Sequence, residues 1–209
     1  SPHVAGSVAL FLQARGNQVT PEYIRNVHQN SADPVAWWGN PTLGYLDNVQ
    51  RQGAGLIDID DAILSTVKIE PSKLSVGESQ DGPYTQLLLL KNYSGETITF
   101  ALGDQSALAV GDTFSPKFYA AFATVTFDAP SVTVAPYGEA YVEVTITAPT
   151  APDKALYGGY ITFTPNNNGQ MYRVPYAGFI GDYQSIQAMA PTAYGLPWLT
   201  LLYNGSYYK

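Results

Sequence analysis

Two histidines, His3 and His28, are all the imidazole in 209 residues, and there is no cysteine. That inventory excludes disulfides, thiolate nucleophiles, cysteine-ligated zinc and a histidine-rich metal site. Ser1 and His3 place a hydroxyl and an imidazole two residues apart, the raw material of an activated nucleophile. On a helix, however, positions two apart point to different faces, so neither residue is expected to be catalytic. His28 lies beside Asn26 and Gln29 and reads as a surface or satisfied polar residue. Asp58, Asp60 and Asp61 cluster beside a glycine-rich turn, where a calcium ion would find oxygens. The glycine and distal glutamate of an EF-hand loop are missing, and capping of a short helix accounts for the acids. No metal or other cofactor is implied. Trp37, Trp38 and Tyr45, with Tyr203, Tyr207 and Tyr208 near the end, offer faces on which a sugar could stack. For the tryptophans, anchoring a long loop on the core is the preferred reading. For the tail both readings stand.

These residues must be held by two different kinds of structure. From 4 to 12 apolar residues recur at a helical period with a broad face, and Gly16 supplies the stop. Thr20-Pro21-Glu22 then reads as a helix start, with a capping hydroxyl, proline in the first turn and an acid at the positive end of the dipole. Residues 35–52 read as an irregular loop, 52–58 as a tight turn around Gly53 and Gly55, and 59–64 as a short closing helix. After residue 66 the apolar period drops to two. Strands are expected at 67–70, 84–92, 97–102, 121–127, 140–147, 157–163 and 170–175, with 87–90 buried on both faces. Turn signals separate them, Asn166-Asn167-Asn168-Gly169 among them. Roughly seven strands at this spacing resemble an antiparallel β-sandwich of the immunoglobulin or fibronectin type III kind. No flexible spacer marks the boundary near Thr66, so the two parts are expected to pack together.

A net charge of −7 and a pI near 4.6 disfavour nucleic acid and anionic membrane surfaces as partners. No apolar run reaches the roughly 18 residues that span a bilayer. Low charge, abundant Tyr, Thr and Ser, and the sequons Asn92-Tyr93-Ser94 and Asn204-Gly205-Ser206 point to a secreted chain, with Asn92 and Asn204 as glycosylation candidates. Two helices and a loop cannot cover the broad apolar face at 4–12, so further structure is expected upstream.

Ser1-Pro2-His3-Val4-Ala5-Gly6 resembles the second half of the Gly-Thr-Ser-Met-Ala-Ser/Thr-Pro-His-Val-Ala-Gly motif of subtilisin-like serine proteases. Gln52-Gly53-Ala54-Gly55-Leu56-Ile57-Asp58 is similar to the Gly-Ala-Gly-Leu turn that closes their catalytic domain. The segment 174–183, Val-Pro-Tyr-Ala-Gly-Phe-Ile-Gly-Asp-Tyr, resembles the last strand of fibronectin type III-like domains in large secreted members such as cell-envelope proteinases. The resemblance implies a mainly β chain: an antiparallel fibronectin type III-like β-sandwich preceded by the last helices of an α/β subtilisin-like catalytic domain. Residues 1–65 would end the peptidase domain, 66–185 form the sandwich and 186–209 extend it.

The resemblance also implies a Ser-His-Asp triad lying upstream, with the nucleophilic serine about three residues before Ser1. Ser1, Pro2, His3, Gly6, Gly53 and Gly55 become structural residues flanking the motif. The partners implied are the upstream part of the same protease and, for the parent, a polypeptide substrate. This piece would be accessory and inactive alone. The competing reading is a free-standing β-sandwich that binds protein or carbohydrate, against which the apolar face at 4–12 stands.

Overall fold

The computed structural model describes residues 2–112 and 115–186, together with the backbone of two short strands at 201–203 and 206–208. Helices come first: α1 (Pro2–Arg15), α2 (Pro21–Ser31), α3 (Val49–Gln52) and α4 (Ile59–Leu64). Thr20 caps α2, its hydroxyl accepting from the Tyr23 amide at 3.1 Å, with Pro21 and Glu22 in the first turn. Gly16 ends α1 at φ +83°, its amide donating to Leu12 O. Asp58 caps α4 by accepting from the Asp61 amide at 2.9 Å, with Asp60 and Asp61 in the first turn. The acidic cluster is thus a helix start, as its spacing suggested.

Ten strands follow: β1 (Val67–Glu70), β2 (Leu74–Glu78), β3 (Tyr84–Asn92), β4 (Ile98–Gly111), β5 (Lys117–Tyr119), β6 (Thr124–Phe127), β7 (Ser131–Val134), β8 (Glu139–Thr147), β9 (Leu156–Pro165) and β10 (Tyr172–Phe179). A separate hairpin pairs β11 (Leu201–Tyr203) with β12 (Ser206–Tyr208). One sheet runs β1-β3-β8-β6; the other runs β2-β10-β9-β4-β5, with β7 also paired to β4. All pairings in the two large sheets are antiparallel except β2 with β10. The result is a mainly β sandwich. Its core lies between the sheets, where Phe100 meets Phe163 and Tyr172 edge-on at 6.4 and 5.9 Å.

Three expectations are corrected. The segment 87–90 is not buried on both faces: Leu88 and Leu90 are in the core while Leu87 is 50% exposed. The outer face of that sheet meets solvent, as antiparallel sheets allow. The stretch 35–52 is not wholly irregular. Ala36 bridges Leu46, the Trp37 amide donates to Tyr45 O at 2.8 Å, and 49–52 coil into α3. Trp37 does not anchor this segment on a helical core but packs on Phe118 of β5, ring centroids 5.3 Å apart. Trp38 is 61% exposed, with the Arg51 guanidinium over its ring.

Helices and sandwich are joined by polar staples. Asn30, at the end of α2, is fully buried. Its Oδ1 accepts from the Ile69 amide at 2.9 Å and its Nδ2 donates to Arg173 O at 3.2 Å, so it ties α2 to β1 in one sheet and β10 in the other. Asn26 Nδ2 donates to Glu70 Oε1 at 2.8 Å. Arg173 reaches back to Asp33 at 2.8 Å. The Tyr160 hydroxyl donates to Gly53 O at 2.9 Å, and Gln50 Nε2 donates to Tyr157 O at 3.1 Å.

Candidate functional site

The residues singled out around the opening motif sit on α1. Pro2 starts the helix; His3 and Gly6 lie exposed along it; Ser1 lies outside the described residues, as does Asn204. One side of α1 is covered: Phe11 packs with Ile24 and Val27 of α2 and Ala62 of α4. The Arg15 side chain donates to Ile63 O and Ser65 O, closing the C-terminal end of α4. The other side is open. Val4 is 45% and Leu10 49% exposed. Val4, Val8 and Leu12 of α1, with Val19, Ile24 and Ile57, wall an apolar groove of about 690 Å³. Gly6 adds to this picture, because nothing lies within 4 Å of where its Cβ would be. A glycine inside a helix costs about 1 kcal/mol relative to alanine, and no neighbour among the described residues accounts for it.

A serine–imidazole pair does exist here, but not the one the sequence offered. Ser7 Oγ and His28 Nε2 are 2.8 Å apart, and His28 Nδ1 lies 2.8 Å from Ile24 O. In the neutral ring Nδ1–H donates to the Ile24 carbonyl, and Nε2 accepts from the Ser7 hydroxyl. Nucleophilic catalysis needs more than this. Ser7 is buried, and it lies inside α1, where backbone N–H groups are taken up by the helix and none is free to stabilise an oxyanion. The pair clamps α1 to α2. His28 is therefore a satisfied polar residue; its partner, 21 residues earlier, left no signal in the sequence.

The closing turn, with Gly53 at φ +62°, brings Gly55 (φ +125°) beside Asp33, and Asp33 and Leu56 exchange amide hydrogen bonds at 2.8 and 2.9 Å. A Cβ on Gly53 would meet nothing, whereas one on Gly55 would overlap the backbone of Asp33 and Pro34. Among the described residues no group of three metal-ligating side chains converges.

Asn92 has a structural role. It is 1% exposed; its Nδ2 donates to Glu96 O at 2.7 Å and Ala135 O at 3.1 Å, and its Oδ1 accepts from the Ser94 amide at 2.9 Å. The nitrogen that a glycan would occupy is already committed. Asn92→Ala strips the partners from two carbonyls and an amide. It is expected to lower stability by about 2 kcal/mol in urea unfolding, with an unchanged urea dependence.

Residues 74–177 match the sequence profile of the Fn3-like domain family. This segment is an Fn3-like domain. It runs from the first residue of β2 into β10, so β1 lies outside the matched segment while completing its sheet through β3. The chain is also 26% identical over 220 residues to a PII-type proteinase of Lacticaseibacillus paracasei. That match takes in 88% of this chain and 11% of the proteinase, so the chain spans about a ninth of its relative's length. Among solved structures, the ASH/PapD-like domain of human CEP192 is 16% identical, with 56% of this chain and 87% of that chain covered at a TM-score of 0.43. The CupB2 chaperone of Pseudomonas aeruginosa is 9% identical, with 58% and 59% covered at a TM-score of 0.39.

Proposed function

We propose that this chain is the accessory, C-terminal portion of a secreted subtilisin-like serine endopeptidase. Residues 1–65 end its catalytic domain, 66–185 form the Fn3-like domain and 186–209 extend it. The parent hydrolyses peptide bonds with a triad contributed upstream, its serine preceding the motif at Ser1, and this chain alone is inactive. The observation that carries the reading is the open apolar groove on α1, the helix that bears Pro2-His3-Val4-Ala5-Gly6. Its exposed Val4 and Leu10, and a Gly6 with free space above it, suit a helix that another segment covers at close range. The proteinase likeness supports it, since at 88% of the chain it reaches well beyond the Fn3-like domain.

A free-standing sandwich fits less well. Removing the helices would take Asn30 from the Ile69 amide and from Arg173 O, leaving both groups without their partner. In the proposed assembly the sandwich braces the last helices of the catalytic domain, and α1 supports the nucleophile from behind.

A fluorophosphonate, which labels activated serines, tests the reading. The 209-residue chain should stay unlabelled, while the same chain extended upstream through its reading frame should be labelled on a serine preceding Ser1. Labelling of the short chain at Ser7, or an extended chain without a reactive serine, would overturn it.

A further inference from the structure

The turn that joins β9 to β10 carries Asn166-Asn167-Asn168-Gly169, and all four residues are exposed. The first two asparagines are occupied. Asn166 Oδ1 accepts from the Thr99 amide at 3.4 Å, and Asn167 Oδ1 accepts from the Gly169 amide at 3.0 Å. Asn168 is not. It sits at φ +58°, a left-handed conformation that asparagine tolerates, and its carboxamide makes no hydrogen bond among the described residues. The carboxamides of Asn17, Asn26, Asn30, Asn40, Asn48 and Asn92 all have partners. Asn168 is therefore the one described asparagine that is both unengaged and followed by glycine.

Such a pair can react within its own chain. The Gly169 nitrogen can close a five-membered ring on Cγ of Asn168, and glycine has no Cβ to obstruct the approach. The steps balance with water as the only co-reactant. The Gly169 nitrogen gives its proton to solvent and bonds to Cγ; the Cγ–Nδ2 bond breaks, and Nδ2 takes a proton from solvent and leaves as ammonia. Water then opens the succinimide at either carbonyl. One opening yields aspartate and the other isoaspartate, whose backbone runs through Cβ and Cγ. Either product puts a carboxylate in place of a neutral group on a chain that already carries −7. The bond from Gly169 N–H to Asn167 Oδ1 opposes the first step, because it holds the proton that must leave and the nitrogen that must turn. We propose that Asn168 is a self-modification site, converted to aspartate and isoaspartate through a succinimide, and that Asn167 sets its pace.

The test is peptide mapping by mass spectrometry of the full chain after timed incubation in neutral buffer. The peptide that holds Asn168 should gain the mass difference between an amide and an acid, and isoaspartate methyltransferase should label it. Conversion should be first order, independent of protein concentration, and faster at Asn168 than at any other described asparagine. Asn167→Ala should accelerate it about two- to tenfold, the worth of one hydrogen bond. Asn167→Asp keeps an acceptor oxygen and should remain as slow as the natural chain. If Asn167→Ala fails to fold, Asn167→Gln, which stays polar but moves the oxygen one carbon away, should accelerate the reaction in the same way. An intact Asn168 while another described asparagine converts, or an unchanged rate in the folded Asn167 variants that lose the acceptor, would overturn the proposal.

Discussion

Replacing Asn30 by alanine is expected to lower stability by about 3 kcal/mol, because it removes a side chain that serves both sheets at once. Asn30 is fully buried, and its amide answers the Ile69 N–H and the Arg173 C=O. Without it, each of those backbone groups is left buried without its partner, at roughly 1–3 kcal/mol apiece. Truncation also opens a small void where α2 crosses β1 and β10. The midpoint of thermal unfolding should fall by about 6–12 °C for a chain of this size. Amide hydrogen exchange supplies the sharper readout. Ile69 should lose protection in Asn30→Ala beyond the global loss, while Leu88 on β3 should follow global stability alone. Equal changes at both amides, or a stability loss below about 1 kcal/mol, would show that the helices and sandwich are held together chiefly by apolar contact. Asn30→Asp separates the two bonds: it keeps the acceptor for Ile69, loses the donor to Arg173 and adds a buried charge, so it should be at least as destabilising.

That junction was hard to read from the sequence, and the reason is physical. Elements defined by local chemistry were legible: the Thr20-Pro21 start of α2, the Asp58 cap of α4, and a strand such as β8, whose alternation is set by one buried face. β2, β5 and β7 escaped notice because they are three to five residues long and owe their existence to pairing with distant partners. The four-residue α3 is likewise a tertiary product. Gly158 of β9 leaves room for it, since a Cβ there would come within 2.9 Å of Val49 and 2.5 Å of Tyr176 O. Asn30 looked like one more polar residue at a helix end, and Asn92 like a sequon. Both are buried because their amides complete backbone bonding that no local pattern announces.

Gly55→Ala is expected to be the most damaging single-methyl change in the chain, at about 4 kcal/mol. Gly55 sits at φ +125°, a conformation that a Cβ strains by roughly 1–3 kcal/mol. Space worsens the cost. The added carbon would overlap Asp33 O, Asp33 C and Pro34 N, all backbone atoms that cannot rotate away. Relief requires the turn to move off the segment at 33–34, which breaks the paired bonds between Asp33 and Leu56 and disturbs the Arg173–Asp33 ion pair. Gly53→Ala provides the control. Gly53 also has positive φ, at +62° with ψ −128°, the mirror-β region that glycine enters readily and other residues avoid, but it faces open space. It should cost about 2 kcal/mol, backbone strain without a clash. If urea unfolding shows the two substitutions to be equal, backbone conformation alone governs the turn. A clearly larger Gly55 effect establishes that close approach to Asp33 adds to the demand for glycine, and that the turn after α3 is fastened to the end of α2 by backbone contact.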